Sequence, residues 1–502
     1  MPYPLHLEFH PILHELPEVL PRDNPTYLVG GAVRDAFLRR TSNDLDFIVP
    51  TGAMEIARQV ADKFHGHFYP LDFDRDYGRA IVRPEEGERV VLDFTPFQGS
   101  DLESDLLGRD FTINSLAVEV HDPNQLIDPL GGLSDLYSRT IRACSKESIA
   151  ADPIRVLRAV RLAVALEMKI EKETRQQLRA AAPLLAESSA ERIRDEIFRM
   201  LGGPRAGAAL RVLDQLEVIA TILPEILELK GVDQSEPHMH DVWEHTLGTL
   251  DALESLLAAL SAAPNPETYS NLYFGLASIK LGRYRDQIQK QLAIRMTPER
   301  SLRSLIFFAA LFHDIGKPLT RQVEENGRIR FFEHEKVGAR LAGETGHRLQ
   351  LSNSEISRLK TIVFNHLRPL WLAQANQEPG RRAIYRFFRS TEDAGVDICL
   401  LSLADMVATY GPGLPQDRWV QLLETIRPLL QTWWEGPKEI VKPESLITGS
   451  DLISEFSIEP GPEIGRILEA LREAQAAGQV TTRLEALEFA ASLIGKKIDF
   501  QG

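Results

Sequence analysis

Cysteine is nearly absent from this sequence, which contains two, Cys144 and Cys399, among 502 residues. The two lie far apart and lack CxxC spacing, so they provide neither a disulfide framework nor a zinc knuckle. Also missing is any uninterrupted apolar run close to the roughly 20 residues that cross a bilayer. The first 25 residues contain prolines and acidic residues where a secretory signal has a basic start and an apolar core. We therefore expect a cytoplasmic protein with no membrane association.

A basic excess is missing as well, since 57 Lys and Arg against 72 Asp and Glu give a net charge of −15. Proteins that coat nucleic acid regardless of sequence normally have a basic balance, so that class is disfavoured. A local basic track for RNA remains compatible with this composition. Hydrophobic residues make up 43% of the chain and charged residues 26%, which is typical of a globular protein. The length predicts two to four domains.

Two regions of different character divide the chain. Residues from about 26 to 145 mix short β-rich runs with helical stretches, which predicts an α/β unit. From there almost to the C-terminus, apolar residues recur at helical spacing, interrupted by Pro/Gly stops. The sequence therefore predicts an α+β fold, with a small sheet first and a helical body after it.

Gly30-Gly31 separate a β-like run from a helical stretch, and the next β-like run contains Asp44 and Asp46. Positions two apart on a strand point to the same face, so both carboxylates can share one site. Such a pair can hold Mg²⁺ ions, which activate an attacking hydroxyl and neutralise a nucleoside triphosphate. The glycines allow close approach of phosphates to the backbone. This combination predicts nucleotidyl transfer.

The alternative interpretation of these residues is purely structural. Gly-Gly would be a tight turn, and Asn43-Asp44 would cap the entry to a strand. A lone GG or a lone DxD favours that interpretation. Here Arg34-Asp35 follow the glycines closely and Asp93 adds an acidic residue on a further strand, so the combination favours a nucleotide site.

These motifs resemble those of the class II nucleotidyltransferase family, which contains bacterial tRNA nucleotidyltransferases and poly(A) polymerases. GGAVRD at 30–35 and DLD at 44–46 match its GGxVRD and LDxD-type motifs. GRDFTIN at 108–114 is similar to its RRDFTIN block, with glycine in place of the first arginine. We call the block at 108–114 the second motif. The resemblance implies that its Arg109, Asp110 and Asn114 contact the ribose and triphosphate. The nucleotide site would also include Gly30, Gly31 and Arg34.

ADPIRVLRAVRLA, at 151–163, resembles the family's EDxxRxxRAxRF block, with alanine in place of the glutamate. On a helix, Asp152 and Arg155 would face the same side, as would Arg155 and Arg158. In the family, the matching aspartate and arginine hydrogen-bond the incoming base and act as a protein template for CTP or ATP. Arg158 and Arg161 would lie near the triphosphate or the tRNA end. Without the upstream motifs, an ion pair on a solvated helix would be favoured.

Histidines and carboxylates spread over the later helical segments form a second group of candidates. They are His245, His313, Asp314, His334, His366 and Asp405. Ligands of these types suit a divalent transition metal such as Mn, Ni, Co or Fe. Their order resembles the HD superfamily of metal-dependent phosphohydrolases, and Lys317 also fits that pattern. The resemblance implies phosphoester cleavage, for example at a damaged RNA 3′ end; a metal site that only stabilises the helical body is the alternative.

The resemblance covers most of the chain and implies four parts. They are a nucleotidyltransferase α/β head with a small mixed sheet at 21–145, an all-helical neck with base- and RNA-binding residues at 146–232, an HD-type helical domain at 233–410 and a helical tail at 411–502. Mg²⁺ is expected at the head. The expected partners are tRNA, CTP and ATP, and no protein partner is inferred.

Three functions compete: tailing of tRNA with CCA, poly(A) synthesis, and an RNA-binding phosphohydrolase with an inactive head. The intact pair Asp44 and Asp46 disfavours the third, while the helical tail and the acidic charge favour tRNA over arbitrary RNA. Only TPFQGSDLESDLLG separates the Asp93 strand from Arg109. Family members that add both C and A generally have a longer loop here. The sequence therefore predicts addition of CC, with a separate enzyme adding A.

Overall fold

The computed structural model describes residues 7–83, 89–263, 271–375 and 377–494. It divides into two compact units, one formed by Met1–Ser189 with Val212–Thr221 and the other by Ala190–Arg211 with Ile222–Gly502. Both cysteines are free. The four-part division expected from the sequence stays a prediction, because the two units do not resolve it.

The first unit contains a seven-stranded sheet and short helices. Its elements are α1 (Ile12–Glu15), β1 (Tyr27–Val29), α2 (Gly31–Phe37), β2 (Asp44–Val49), α3 (Ala53–Lys63), β3 (His67–Asp72), β4 (Tyr77–Val82), β5 (Val90–Pro96), α4 (Leu102–Leu107), β6 (Ala117–Glu119), β7 (Asp122–Ile127), α5 (Gly132–Tyr137), β8 (Thr140–Ile141), α6 (Ser148–Ala151), α7 (Arg155–Ala165), β9 (Lys169–Ile170) and α8 (Lys172–Ala181). The mixed sheet at the N-terminal end confirms the predicted fold class.

The strand order of this sheet is β3-β4-β5-β2-β1-β6-β7. The β2–β5 pair is parallel and the other pairs are antiparallel. Along β4 and the first four residues of β2, alternate residues are buried, as the two-residue period of a strand requires, whereas the last three residues of β2 are all buried. The buried face packs against α3, whose apolar residues Ile56, Ala57 and Val60 join the same core.

The opposite face of the sheet is only partly covered. Near β1 and β6 it forms a small cluster in which Val29, Ile48 and Ala117 pack with Leu106 of α4. On β2, by contrast, Asp44 and Asp46 are exposed on this face. The same face continues across β5 and β4 to the edge strand β3.

The sequence prediction for residues 152–155 was wrong in one respect. Asp152 and Arg155 do not lie on one helix, because α6 ends at Ala151 and α7 begins at Arg155. Asp152 has extended backbone angles. Pro153 explains the break, since the residue before a proline is pushed out of the helical region. Arg155, Arg158 and Arg161 do share α7 as predicted.

The second unit is largely helical. Its elements are α9 (Ala190–Gly202), α12 (Val242–Ala259), α13 (Leu272–Leu281), α14 (Arg285–Ala293), β10 (Arg295–Thr297), β11 (Arg300–Ser301), α15 (Leu302–Phe312), α16 (Lys317–Thr320), β12 (Arg321–Val323), β13 (Ile329–Phe331), α17 (His334–Arg348), α18 (Asn353–Asn365), α19 (Arg368–Ala373), α20 (Arg381–Thr391), α21 (Gly395–Tyr410), α22 (Gln416–Glu435), α23 (Lys438–Val441), α24 (Gly449–Phe456), α25 (Pro462–Ala476) and α26 (Arg483–Ile494). Residues of both units contribute to α10 (Ala206–Gln215) and α11 (Ile219–Ile222).

The expectation of an all-helical body after the head needs one correction. Two hairpins, β10–β11 and β12–β13, occur among the helices of the second unit, and β8 pairs in parallel with β9 in the first. These strands have only two or three residues each, which is too short to produce a periodic pattern in the sequence.

Within the described ranges, one stretch, Arg381–Gly413, has the length and apolar character of a helix that could cross a membrane. Of its most apolar window, 72% is buried inside the protein. It contains α20 and α21, and α21 supplies buried residues such as Leu400 and Leu403. Its apolar character is therefore that of a core segment.

Candidate active site and candidate metal centre

The site in the first unit begins at Gly30, between β1 and α2. Its φ of +73° is in the region that glycine alone adopts readily. A Cβ atom at this position would lie 3.2 Å from Arg109 Nη1 and 3.8 Å from Asp46 Oδ2. Gly30 thus lies beside both Asp46 of the carboxylate strand and Arg109 of the second motif.

Asp44 and Asp46 lie on the same face of β2, as predicted, and both are exposed. Asp93, on the neighbouring strand β5, is the register partner of Asp46. Desolvation by the surrounding protein atoms and the charge of Asp93 raise the pKa of Asp46. Asp93 itself receives two hydrogen bonds from the guanidinium of Arg79, Nε to Oδ1 at 2.6 Å and Nη2 to Oδ2 at 2.7 Å. A third carboxylate therefore borders the predicted pair and is neutralised by Arg79.

Several predicted nucleotide-binding residues form one hydrogen-bonded chain. Arg34 Nη1 donates to Asn114 Oδ1 at 2.6 Å, and Asn114 Nδ2 donates to Asp110 Oδ1 at 3.0 Å. The second oxygen of Asp110 forms an ion pair with Arg158 Nη2 at 2.9 Å. Arg34 also pairs with the adjacent Asp35 at 2.8 Å. The structure thus brings together residues from β1–α2, the second motif and α7, which are 124 positions apart at the extremes, 34 and 158.

Arg109 and Arg155 are fixed by other contacts. Arg109 Nη2 lies 3.1 Å from Asp105 Oδ1, four residues earlier. Arg155 Nη1 donates to the backbone carbonyls of Arg109 at 3.0 Å and Ser148 at 3.2 Å. Arg155 therefore ties α7 to the second motif.

Asp152 and Arg161 are the remaining predicted residues of this site. Asp152 lies in the turn between α6 and α7, where its carbonyl accepts the backbone N–H of Arg155 at 3.0 Å. Arg161 is half-buried on α7, two turns along the helix from Arg155. Both belong to the segment that carries Arg155 and Arg158.

The second unit brings the six predicted metal ligands together. His245 is on α12, His313 and Asp314 follow α15, His334 begins α17, His366 follows α18, and Asp405 is on α21. All six are buried. Possible ligand atoms converge in two groups, each within 4.8 Å: His245, His313 and Asp314 in one, and Asp314, His334 and His366 in the other. Asp314 is common to both groups.

The distances place one carboxylate oxygen of Asp314 toward each group. Oδ2 lies 3.4 Å from His245 Nε2 and 3.1 Å from His313 Nε2, whereas Oδ1 lies 3.3 Å from His334 Nε2 and 3.9 Å from His366 Nε2. Asp405 Oδ1 joins the first group, 3.1 Å from His245 Nε2.

Three of the histidines are oriented by the backbone. Nδ1 of each lies close to a carbonyl three residues earlier: His313 to Ala310 at 2.7 Å, His334 to Phe331 at 2.8 Å and His366 to Val363 at 2.7 Å. A proton on Nδ1 donates to that carbonyl and leaves the Nε2 lone pair for a ligand. Within the described ranges, Nε2 of His334 and of His366 is buried without a hydrogen-bond partner. These atoms fit metal ligation.

The pKa shifts of His366 and Asp314 favour the protonation states that bind a metal. Burial lowers the pKa of His366 to about 3, so its imidazole is neutral at physiological pH. Burial alone would raise the pKa of Asp314, but the charges of His313 and Lys317 hold it well below its ordinary value. Lys317 Nζ lies 2.7 Å from Asp314 Oδ2. The site therefore combines a neutral His366 imidazole with an ionised Asp314 carboxylate, whereas the charge of Asp314 outweighs burial and raises the pKa of His313.

A cavity of about 770 Å³ opens onto this cluster. Besides Asp314, Lys317 and Asp405, its lining includes His238, which the sequence analysis missed. The His238 ring meets His245 edge-on, with centroids 5.0 Å apart, and burial lowers its pKa to about 3. His238 lies in a loop, so no periodic pattern marks it. Arg79 was missed as well, since its pairing with Asp93 depends on strand register.

Family models match most of the chain. They are the poly A polymerase head domain over 26–142, the RNA and SrmB-binding site of polymerase A over 167–229, the HD domain over 242–408 and tRNA nucleotidyltransferase domain 2 over 430–491. Their order reproduces the predicted sequence of a polymerase-type head, an RNA-binding region and an HD domain. Fold and site together define a nucleotidyltransferase with an appended HD domain.

Curated relatives extend over nearly the whole length. The CC-adding tRNA nucleotidyltransferase of Geobacter sulfurreducens is 34% identical over 468 residues, 93% of this chain and 91% of the relative. The CC-adding enzyme of Thermus thermophilus is 32% identical, with 95% and 94% covered. The A-adding enzyme of Deinococcus radiodurans is 32% identical, with 92% and 94% covered. The chain belongs to the tRNA nucleotidyltransferase family.

Solved structures show the same fold. A CCA-adding enzyme in complex with CTP matches with a TM-score of 0.57 and 20% identity, covering 96% of this chain and 94% of that one. The Thermotoga maritima CCA-adding enzyme complexed with tRNA matches with a TM-score of 0.54 and 19% identity, covering 96% and 95%.

Proposed function

We propose that this protein adds nucleotides from CTP or ATP to the 3′ end of tRNA, with Asp44 and Asp46 as the catalytic carboxylates. The observation that carries this proposal is the placement of both carboxylates on one face of β2, beside Gly30 and Arg109. The names of the three full-length relatives agree with it.

The carboxylates of Asp44 and Asp46 would hold Mg²⁺, which activates the attacking hydroxyl and neutralises the triphosphate when bound. Gly30 leaves the space between Asp46 and Arg109 free of a side chain. Arg109 and Arg158 offer guanidinium donors on the side toward Asp46, where the negative charge of a triphosphate needs them. The Arg34–Asn114–Asp110 chain holds Arg158 in position, and Asp105 holds Arg109.

We assign recognition of the base of the incoming nucleotide to Asp152 and Arg155. A carboxylate accepts from an exocyclic amino group, and a guanidinium offers a planar pair of donors. Arg155 is fixed by two backbone carbonyls, so its remaining N–H groups have a defined direction. The turn at Pro153 separates the two residues, which lets each approach the base from its own backbone segment.

Within this activity we propose addition of CC. The connection from β5 to Arg109 is short and folded, because Asp101 caps α4 through a capping box with Ser104. This connection is shorter than the flexible loop that family members adding both bases generally have here. Sequence likeness by itself does not choose, since both CC-adding and A-adding relatives are about one-third identical.

The deciding experiment incubates purified protein with tRNA lacking CCA, or with tRNA ending in CC, and each NTP in turn. We expect two CMP additions to the first tRNA and none to the second. Efficient AMP addition to tRNA ending in CC would refute CC specificity. A growing A tail on unrelated RNA would support the alternative, a poly(A) polymerase.

A second activity is proposed for the cluster around Asp314, namely metal-dependent phosphoester hydrolysis. The two ligand groups that share Asp314 fit a pair of Mn, Ni, Co or Fe ions, which would activate water and polarise the phosphoryl group when bound. The cavity above the cluster gives a phosphoester access. Hydrolysis of bis-p-nitrophenyl phosphate or of RNA ending in a phosphate tests it; a metal-loaded protein inactive on both would leave only a structural metal site.

The four-part organisation, 21–145, 146–232, 233–410 and 411–502, is also a proposal. Each predicted part contains one of the matched family segments. Limited proteolysis should cut near 145, 232 and 410 before it cuts inside the parts. We also propose a cytoplasmic location, which fractionation of cells would test.

A further inference from the structure

The face of the sheet that carries the catalytic carboxylates does not end at them. Register partners run across four strands in a row, from Asp46 on β2 to Asp93, Arg79 and then Tyr69 on β3. Directly paired residues of a sheet present their side chains to the same face. Tyr69 therefore stands on the same face as Asp46, three strand spacings away.

A second row, parallel to the first, reaches the same edge. It runs from Asp44 through Val91 and Ile81 to His67. Ala80 and Val82 alternate with Ile81 and pack into the core on the other side, so this orientation is fixed. The catalytic face is thus continuous out to β3, within one compact unit.

The outer end of this face is open and unusual in composition. Tyr69 is 47% exposed, and Leu71 and Phe73, which follow on β3 and its turn, are 48% and 74% exposed. A recess of about 380 Å³ lies here, lined by His65, Gly66, His67, Tyr69, Ile81, Arg83 and Arg89. Residues 84–88, between the two arginines, lie outside the described ranges.

An exposed aromatic ring beside arginines is the combination that binds single-stranded nucleic acid. Bases stack on the ring, while guanidinium groups follow the phosphates. The distance from Asp46 to Tyr69 is about 14 Å, from three spacings of about 4.8 Å. Stacked nucleotides rise about 3.4 Å each, so the interval corresponds to about four nucleotides.

We propose that Tyr69, Arg83 and Arg89 form a platform for the RNA strand upstream of the reacting 3′ end. The terminal hydroxyl would lie at Asp44 and Asp46, a base a few nucleotides upstream would stack on Tyr69, and the arginines would contact nearby phosphates. This inference rests on nucleotidyl transfer at Asp44 and Asp46. It adds a binding surface for the acceptor strand, separate from the residues assigned to the incoming nucleotide.

The test compares Tyr69→Ala with Tyr69→Phe, which keeps the ring, in steady-state addition to tRNA lacking CCA. For Tyr69→Ala we expect the KM for tRNA to rise roughly 5- to 150-fold, as for the loss of one stacked base, with the KM for CTP unchanged. Tyr69→Phe should behave as wild type. Tyr137→Ala removes another exposed ring of the same unit, at 71% exposure, and should have no effect.

The arginines are tested by salt dependence. In Arg83→Gln/Arg89→Gln, the slope of log affinity for tRNA against log salt should become shallower by about 1.4, since each single-strand phosphate contact contributes about 0.7. Arg139→Gln, on an exposed arginine side chain, is the matched control. RNA with 4-thiouridine near the fourth position from the 3′ end should crosslink to the β3 peptide, which reports on binding without any substitution.

The outcomes separate the two claims. If the wild-type protein adds no nucleotide to tRNA, the proposed function itself fails. If it adds nucleotides but Tyr69→Ala has an unchanged KM for tRNA, only the platform is refuted. A parallel rise in the KM for CTP would also refute it, because the surface would then serve the incoming nucleotide.

Discussion

Asp46 and Asp93 lie opposite each other on the neighbouring parallel strands β2 and β5, with both side chains on the open face of the sheet. Two carboxylates so placed repel each other when both are ionised. Arg79 offsets this repulsion because its guanidinium donates two hydrogen bonds to Asp93. Asp46, the predicted metal ligand, keeps a raised pKa.

As the pH falls, the rate of nucleotide addition should therefore begin to decrease at a higher pH than it would if Asp46 had the ordinary pKa of an aspartate. A raised pKa means that Asp46 takes up a proton sooner as the pH falls, and a protonated carboxyl is a poor metal ligand. Asp93→Asn removes one cause of the shift, so the acidic limb of the rate profile should move to lower pH. Single-turnover rates with tRNA and CTP measured across the acid range check this; an unmoved limb would mean that another group controls it.

Asp44→Ala and Asp46→Ala should each reduce nucleotide addition roughly 10³-fold or more. Each change would remove a carboxylate ligand of the Mg²⁺ that stabilises the charge developing at the phosphoryl group. Both residues are exposed, so folding should be unaffected. Any phosphoester hydrolysis by the same preparation should persist and serves as the internal control. Addition that survives either change would show the carboxylate assignment to be wrong.

Arg155→Lys should raise the KM for CTP about tenfold, which corresponds to about 1.4 kcal/mol. Lysine keeps the charge but cannot hold two carbonyls and present a planar donor pair at once. The KM for tRNA should stay constant, since the contacts of Arg155 are to Arg109 and Ser148 within the site. Equal changes in both KM values would indicate that α7 has shifted as a whole.

Metal content should follow the two ligand groups that share Asp314. Elemental analysis is expected to find two transition-metal ions in the wild-type chain and one in His366→Ala, which loses a ligand of the second group only. His313→Ala/Asp314→Ala should lose both ions while nucleotide addition continues. Unchanged metal content in the double variant would refute the centre.

Arg300 and Glu355 form a buried pair, with Nε to Oε1 at 2.7 Å and Nη2 to Oε2 at 2.9 Å. Burial alone would raise the pKa of Glu355, but Arg300 and Ser352 lower it below the ordinary 4.5. A lowered pKa means that the pair stabilises the fold above pH 4.5 and that this stability is lost as the pH falls further.

Glu355→Gln should accordingly lower the free energy of unfolding by about 3 kcal/mol, because Arg300 stays buried and keeps only one longer contact to a charged partner, 3.5 Å from Nη1 to Asp195 Oδ1. Denaturant unfolding at neutral and acidic pH would measure it, and the difference from wild type should shrink at acidic pH. Glu344→Gln, whose partner Arg340 is exposed, should change little. A comparable loss in both variants would contradict a specific role for the buried pair.

Local sequence determined much of this protein. Gly30-Gly31 and the spacing of Asp44 and Asp46 sufficed for the strand, its face and the family, because strand periodicity acts over neighbouring residues. The order of histidines and aspartates along the later helices likewise predicted that they form a cluster. Pro153 is a local signal too, and it separates Asp152 from the helix of Arg155, contrary to the prediction of a single helix.

Tertiary structure alone decided what lies across strands and loops. Three features depend on strand register and chain path, which no local pattern encodes. They are the ion pair of Arg79 with Asp93, the position of Tyr69 on the catalytic face and the contact of His238 with His245. The sharing of Asp314 between two ligand groups likewise requires four helical segments to converge. Local residue preferences chose the elements and the chemistry, whereas packing of distant segments decided which side chains meet.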